Sequence, residues 1–373
     1  MGVPYALAVN SCSSALFLSL RALGLEPGSK VLVPAFTFAA VPSAIVHAGC
    51  APVLVEVGDN YRIDMDDFEA KLTKDVGAVV VSHMRGHTSD MDRIMASCDS
   101  RDIPVVEDAA HSLGTQWSGR KIGAIGKIGC FSFQSFKLMN SGEGGMLVTS
   151  DPDLIARAVI MSGAYEHNWK KHPVVKDRFG VWQNLLPLYN MRMNNLSAAV
   201  VRSQIQEIAR RVRDGRFNHD YVAARLNQSP WLEVPAPLDR ELRAPDSIQF
   251  NLVGFSSDRE AMAFQDAAQA RGISVQVFGL SKDNARAFWN WKFFPQEKDL
   301  PKTRAMLMRA CDVRLPARLG RTDLDVIATA LVDSAIDVME GRKRSLPFQS
   351  AGVRARTTRV PVRTREAVAP DLV

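Results

Sequence analysis

Along the first two-thirds of the chain, short apolar runs alternate with longer stretches in which apolar residues recur every three or four positions. The runs fall at residues 6–9, 30–34, 52–55, 78–81, 104–106, 129–133 and 146–149. Runs without polar alternation predict strands buried on both faces, and the amphipathic stretches between them predict covering helices. One helix is expected from Asn10 to Leu23, small residues first and then Leu16, Leu18, Leu20 and Leu23. Another begins at Asp151-Pro152, a carboxylate N-cap followed by proline at the first helical position. Residues 160–190 are aromatic, basic and irregular, which predicts a long functional or interface loop. A long helix is expected over 196–213, continuing to near Leu226. From about 215 to 340 the order becomes strand (248–255), helix (258–271), strand (273–278) and helix (323–339).

The pattern predicts an α/β protein, a mainly parallel sheet sandwiched by helices over residues 1–213 with a smaller α+β domain over 214–341. Residues 342–373 hold eight Arg or Lys against Glu366 and Asp371, which leaves 38 basic and 38 acidic residues in the rest. The net charge of +6 therefore belongs to this tail. Without apolar periodicity or interleaved aromatics, it reads as a solvated, disordered terminus rather than a nucleic-acid or membrane contact. A hydrophobic content of 46% suits a globular enzyme, and no apolar stretch is long enough to span a bilayer. The five cysteines are scattered without CxxC pairs, which points to reduced thiols in the cytoplasm and against a disulfide framework or zinc site. The start of the chain lacks a basic segment followed by an apolar one, so no secretory signal is read there.

Candidate chemistry gathers in two stretches. Phe131-Ser132-Phe133-Gln134-Ser135-Phe136-Lys137 leads into Gly142-Glu143-Gly144-Gly145, placing a lysine between an apolar strand and a glycine-rich loop. Val105-Val106-Glu107-Asp108-Ala109-Ala110-His111 delivers a carboxylate and an imidazole from another strand end. A poorly solvated lysine facing an acid is what pyridoxal phosphate requires, the amine for a Schiff base and the acid for the pyridine nitrogen. His111 either hydrogen-bonds a cofactor hydroxyl or caps its loop. Asn10-Ser11-Cys12-Ser13-Ser14 opens a helix after a strand, and its free amides could hold a phosphate, with Ser132 adding a hydroxyl. Phe38 could stack on the ring or lie in the core, and Arg192 could contact a carboxylate or phosphate. GxGxxG, GxxxxGK[ST] and GxSxG motifs are absent, and His83 and His87 have no third metal ligand in view.

With these residues assembled, the chain resembles the DegT/DnrJ/EryC1/StrS family of fold-type-I aminotransferases over roughly residues 3–340. Asn10-Ser11 through Leu16, Pro34 through Phe38, Glu107 through Ser112, Phe131 through Lys137, Gly142 through Gly145 and Asn190-Met191-Arg192-Met193 follow in the family's order. The resemblance implies that Lys137 is the Schiff-base lysine and Asp108 the partner of the pyridine nitrogen. His111 then approaches the ring hydroxyl, with Phe38 and Ala110 on opposite ring faces. Cys12, Ser13 and Ser132 hold the phosphate, helped by Asn190 from the other subunit of a homodimer. Arg192 is a candidate contact for the donor's carboxylate on its own chemistry. The implied reaction moves an amino group from glutamate or glutamine to a keto-sugar, keto-cyclitol or related ketone. Two departures stand out. Cys12-Ser13 replaces the family's usual Gly-Thr, and relatives carry some tens of residues ahead of the position of Tyr5. The second departure motivates an alternative, an N-terminally truncated and inactive member with a binding or regulatory role.

Overall fold

The computed structural model describes residues 1–295 and 300–341; the tail over 342–373 lies outside the described residues. Its first unit contains strands β1 (Tyr5–Val9), β2 (Lys30–Pro34), β3 (Ala51–Val55), β4 (Val76–Ser82) and β5 (Val105–Asp108). After a short hairpin of β6 (Gln116–Trp117) and β7 (Arg120–Lys121) come β8 (Ile128–Ser132) and β9 (Gly145–Thr149). Seven of these form one sheet in the order β1-β9-β8-β5-β4-β2-β3, in which β9 alone runs against its neighbours. The apolar runs of the sequence are these strands.

Helices cover both faces, as continuous apolar strands demand. On one face lie α1 (Cys12–Leu23) and α2 (Ala40–His47), which bury Leu16, Leu18, Leu20, Val41 and Ile45 against the sheet. On the other lie α3 (Met65–Lys71) and α4 (Met91–Asp99), which bury Phe68, Met91, Ile94 and Cys98. Helix α5 (Pro152–Met161) joins the first group and begins as its sequence predicts, with the Asp151 side chain accepting from the amides of Asp153 and Leu154.

Residues 160–190 are more regular than expected. They hold a 3-10 turn (Asn168–Lys171) and α6 (Lys176–Trp182), which buries Phe179 completely and lays Trp182 3.9 Å beneath the Arg157 guanidinium. The long helix expected from Leu196 is interrupted. It consists of α7 (Asn195–Ser203), a 3-10 turn (Ile205–Glu207) and α8 (Ile208–Leu226). At the break the Gln204 amide bonds both backbone groups of Asn140, and Arg211 donates to the Leu138 carbonyl at 2.7 Å. The interruption thereby grips the loop that carries Lys137.

The second sheet, β10-β12-β14-β13, comprises β10 (Leu232–Glu233), β12 (Ser247–Leu252), β13 (Gln276–Val277) and β14 (Ala310–Arg314). Strand β11 (Glu241–Leu242) instead joins the β6–β7 hairpin. Around it pack the C-terminal half of α8, α9 (Asp258–Ala270) and α11 (Arg321–Met339), with Phe250, Phe264 and Leu331 fully buried. Residues 213 and 214, where the sequence reading changes domain, both lie within α8. The strand expected over 273–278 shrinks to two residues, and β14 was not anticipated.

The first sheet's loops are tied to the second part of the chain at polar points. Glu56 accepts from the amides of Lys302 and Thr303 at the start of α10 (Pro301–Leu307), at 3.1 and 2.8 Å. Arg62 pairs with Glu241, both side chains almost wholly buried, and Tyr61 Oη donates to Asn251 at 2.6 Å. Such pairs hold relative position rather than add much stability, because desolvation offsets most of the attraction. They seat the second sheet at the carboxyl edge of the first, the edge where α/β proteins gather ligands.

Candidate active site

The carboxyl ends of β1, β4, β5 and β8 converge on a cavity of about 570 Å³. Lys137 enters it from the loop between β8 and β9. Its Nζ lies 2.9 Å from His111 Nε2. Burial pushes the amine down to about 8 from its ordinary 10.5, against the opposing pull of the Asp108 carboxylate. Burial, and then the charge of Lys137, hold the His111 imidazole well below its usual range, so Nε2 is an acceptor for the lysine.

Asp108 ends β5 and is 5% exposed. Ser82, its register partner on β4, donates to Oδ2 at 2.6 Å and in turn accepts from Thr37 at 2.7 Å. The Ala110 amide donates to Oδ1 at 3.1 Å. A carboxylate fixed on both oxygens keeps its orientation when a ligand arrives. Its neighbour Glu107 points the other way and is wholly structural, accepting from the amides of Gly123, Ile125 and Gly126 at 2.8, 2.7 and 2.6 Å.

The phosphate candidates lie on the same cavity wall. Ser11 is the N-cap of α1, its Oγ accepting from the Ser14 amide at 3.1 Å. That leaves the Cys12 and Ser13 amides in the first turn without intrahelical acceptors. Gly145 explains the closing glycine of the Gly-Glu-Gly-Gly run, since a Cβ there would stand 2.4 Å from the Ser11 carbonyl carbon. The loop after Lys137 can approach the helix start only because that side chain is missing. Burial, and then Asp108, raise the Cys12 thiol well above its ordinary value, so it presents a neutral S–H toward Asp108 Oδ1 at 3.9 Å.

Lys137, Asp108, His111, Ala110, Phe38, Cys12, Ser13 and Ser132 thus line one cavity. Phe38 is 45% exposed and lines this cavity, which decides against its core reading. Asn190 and Arg192 do not line it. The Asn190 carbonyl accepts from the Asn10 side chain at 3.5 Å. Arg192 does not reach the cavity of its own chain because its guanidinium is engaged elsewhere, donating to the Gly163 carbonyl and lying 5.3 Å from the Tyr165 ring. His83 bonds Glu107 and His87 bonds Gln249, and among the described residues no group of three or more His, Cys, Asp or Glu is placed to hold a metal ion.

Several residues of the site are absent from the sequence-based candidates. Ser82 does not line the cavity but holds Asp108, and its place at the end of the neighbouring strand makes it readable from the apolar run. Arg85 lay in a stretch weighed only for its histidines. Arg286 and Arg314 come from the second unit, where no local pattern marks them.

A half-buried amine lowered to about 8, a fixed carboxylate, free helix amides and the exposed Phe38 ring in the same cavity fit pyridoxal phosphate. One consequence is measurable in protein freed of cofactor. Because only the neutral amine captures an aldehyde, the rate of covalent capture of pyridoxal phosphate should rise with pH and level off with a midpoint near the Lys137 value of about 8. Stopped-flow absorbance would record it, and a midpoint near 10.5, the ordinary lysine value, would contradict the burial argument.

Comparison with known proteins agrees with this geometry. The family model for the DegT/DnrJ/EryC1/StrS aminotransferase family matches residues 1–332. The spore coat polysaccharide biosynthesis protein SpsC of Bacillus subtilis is 35% identical over 346 residues, covering 89% of this chain and 86% of SpsC. GDP-perosamine synthase of Escherichia coli O157:H7 is 33% identical over 206 residues, 55% of this chain and 54% of that protein. Among solved structures, the PLP-form of Spr1654 from Streptococcus pneumoniae superposes with a TM-score of 0.77 at 23% identity, covering 90% of this chain and 88% of that one. That likeness establishes the fold. The chain belongs to the DegT/DnrJ/EryC1/StrS aminotransferase family.

Proposed function

We propose that this protein transfers an amino group from glutamate or glutamine to a keto-sugar, keto-cyclitol or related ketone. The observation that carries the reading is the Lys137 amine, lowered to about 8 and set in the same cavity as the fixed carboxylate of Asp108. Bound pyridoxal phosphate supplies the electron sink that lets a proton leave the amino donor's Cα. Lys137 would hold the cofactor and, as the general base beside it, would take up and return the donor's Cα proton. Asp108, oriented by Ser82 and the Ala110 amide, would keep a proton on the pyridine nitrogen. His111 orients Lys137 and would face the ring hydroxyl, and Phe38 and Ala110 would contact the ring. The Cys12 and Ser13 amides and the Ser132 hydroxyl would hold the phosphate.

The work is divided between a sheet unit over residues 1–213 that binds the cofactor and a smaller unit over 214–341 that closes the cavity. A homodimer would complete the site with Asn190 of the second copy, and a cytoplasmic location suits the free cysteines. Exposed Leu196, Val200, Ile205, Leu185 and Phe136 support the dimer as apolar surface suited to burial against a second copy. A monomeric mass in sedimentation would remove Asn190 from the site. No helix among the described residues is long and apolar enough to cross a membrane.

The name of GDP-perosamine synthase supports an aminated sugar as product. The acceptor class is tested with glutamate labelled with ¹⁵N at its amine and a panel of keto-sugars and keto-cyclitols, followed by mass spectrometry. Label should appear in an aminated product. A protein that takes the amino group from glutamate yet aminates no member of the panel would sink the acceptor assignment.

A further inference from the structure

Three arginines line the cavity beside Lys137, and none has a part in the chemistry described above. Arg85 follows β4, Arg286 follows β13 and Arg314 ends β14. With Lys137 they make four cations on a wall that carries two carboxylates, Asp108 and the exposed Glu143. Two of the three have acidic partners behind the wall. Arg85 pairs with buried Asp312, and Arg314 lies 3.2 Å from Asp246 while donating to the Phe136 carbonyl at 2.8 Å.

Arg286 differs. Among the described residues no carboxylate lies within ion-pair distance of it. Its Nη1 donates to the neutral Gln276 side chain at 3.1 Å, and its buried Nε has no acceptor. The guanidinium stands 5.9 Å from the Phe38 ring and 5.7 Å from that of Phe278. Burial and the neighbouring charges of Arg85 and Arg314 push it down to about 10, against the opposing pull of Asp312, which is too far away to pair with it. A cation drawn from water without an ion-pair partner is costly, and a planar carboxylate is the ligand whose geometry matches its fork of donors. The backbone adds a second sign. Arg85 has φ 55° and ψ 21°, a left-handed conformation unfavourable for a non-glycine residue, and in it lines the cavity wall.

We propose that Arg286, backed by Arg85 and Arg314, forms an anion subsite that selects substrates carrying a carboxylate or comparable acidic group. This rests on the transaminase reading of the same cavity and adds the substrate feature that the cavity recognises. The acidic group has two sources, the carboxylates of the amino donor or an acid on the acceptor ketone.

The probe is glutarate, a dicarboxylate with no amine to transfer, with neutral glutaramide as control. Titration calorimetry on protein loaded with pyridoxal phosphate should show glutarate binding and no glutaramide binding. Arg286→Gln should weaken glutarate by about tenfold or more, and Arg286→Lys, which keeps the charge but loses the fork, should fall between. If one variant fails to fold by circular dichroism, the other carries the comparison. The same samples are then titrated with glutamate while the visible band is followed. A raised half-saturating concentration in Arg286→Gln assigns the subsite to the donor. An unchanged one, with glutarate binding lost, assigns it to an acid on the acceptor. Equal glutarate affinity in wild type and Arg286→Gln, or no glutarate binding by wild type, overturns the subsite. Failure of the transaminase reading looks different, because the band itself would then be missing from wild type while glutarate calorimetry on cofactor-free protein still reports on the arginines.

Discussion

Replacing Lys137 with alanine lowers turnover by about 10⁴-fold or more while leaving the fold intact. The size follows from the two roles proposed for this residue, the amine that holds the cofactor and the acid–base that moves the proton, the latter alone worth about 10²–10⁴-fold. The fold survives because the lysine is a half-buried cavity residue. Its loop is held independently by Gln204 on Asn140 and by Arg211 on the Leu138 carbonyl. Steady-state assay beside thermal unfolding checks both halves. A Lys137→Ala protein within tenfold of wild type would place the chemistry elsewhere.

Asp108→Asn has the second largest effect, a fall in turnover on the order of 10³-fold, the scale seen when one preorganised electrostatic group is removed. The substitution keeps shape but removes the charge proposed to hold a proton on the pyridine nitrogen. It also sets an amide N–H₂ against one of two donors, the Ser82 hydroxyl or the Ala110 amide. The predicted signature separates binding from chemistry: cofactor still attaches through Lys137 and gives its visible band, but the donor converts that band slowly. Rapid-mixing spectroscopy resolves the two steps. Normal conversion with asparagine at 108 would mean that this carboxylate does not act on the ring.

The large sheet was legible because strands buried on both faces must be apolar throughout, and no helix pattern imitates 78–81 or 104–106 at that length. Asp108 and Lys137 were legible because each stands where such a strand ends. Strand β14 was hidden by Asp312 and Arg314, charged residues that the fold admits because Arg85, Gln249 and Asp246 answer them from elsewhere in the chain. The break before α8 was hidden for a related reason, since Gln204 reads as an ordinary helical residue until its partner Asn140, 64 positions earlier, is placed. Arg192 shows the converse. It sits in a motif that suggested ligand contact, yet its guanidinium is turned to Gly163 and Tyr165 within its own chain. Local pattern identified the groups that chain order places at strand ends. It could not identify the arginine wall, because Arg85 and Arg286 meet only after the second sheet docks on the first.

The most direct test of this account is the absorbance spectrum of purified protein with pyridoxal phosphate, recorded for wild type and Lys137→Ala before and after glutamate. The account predicts a visible band in wild type alone, lost on adding glutamate as the cofactor takes up the amino group. Folded wild-type protein with no band dependent on Lys137, or a band that glutamate and glutamine both leave unchanged, would contradict it.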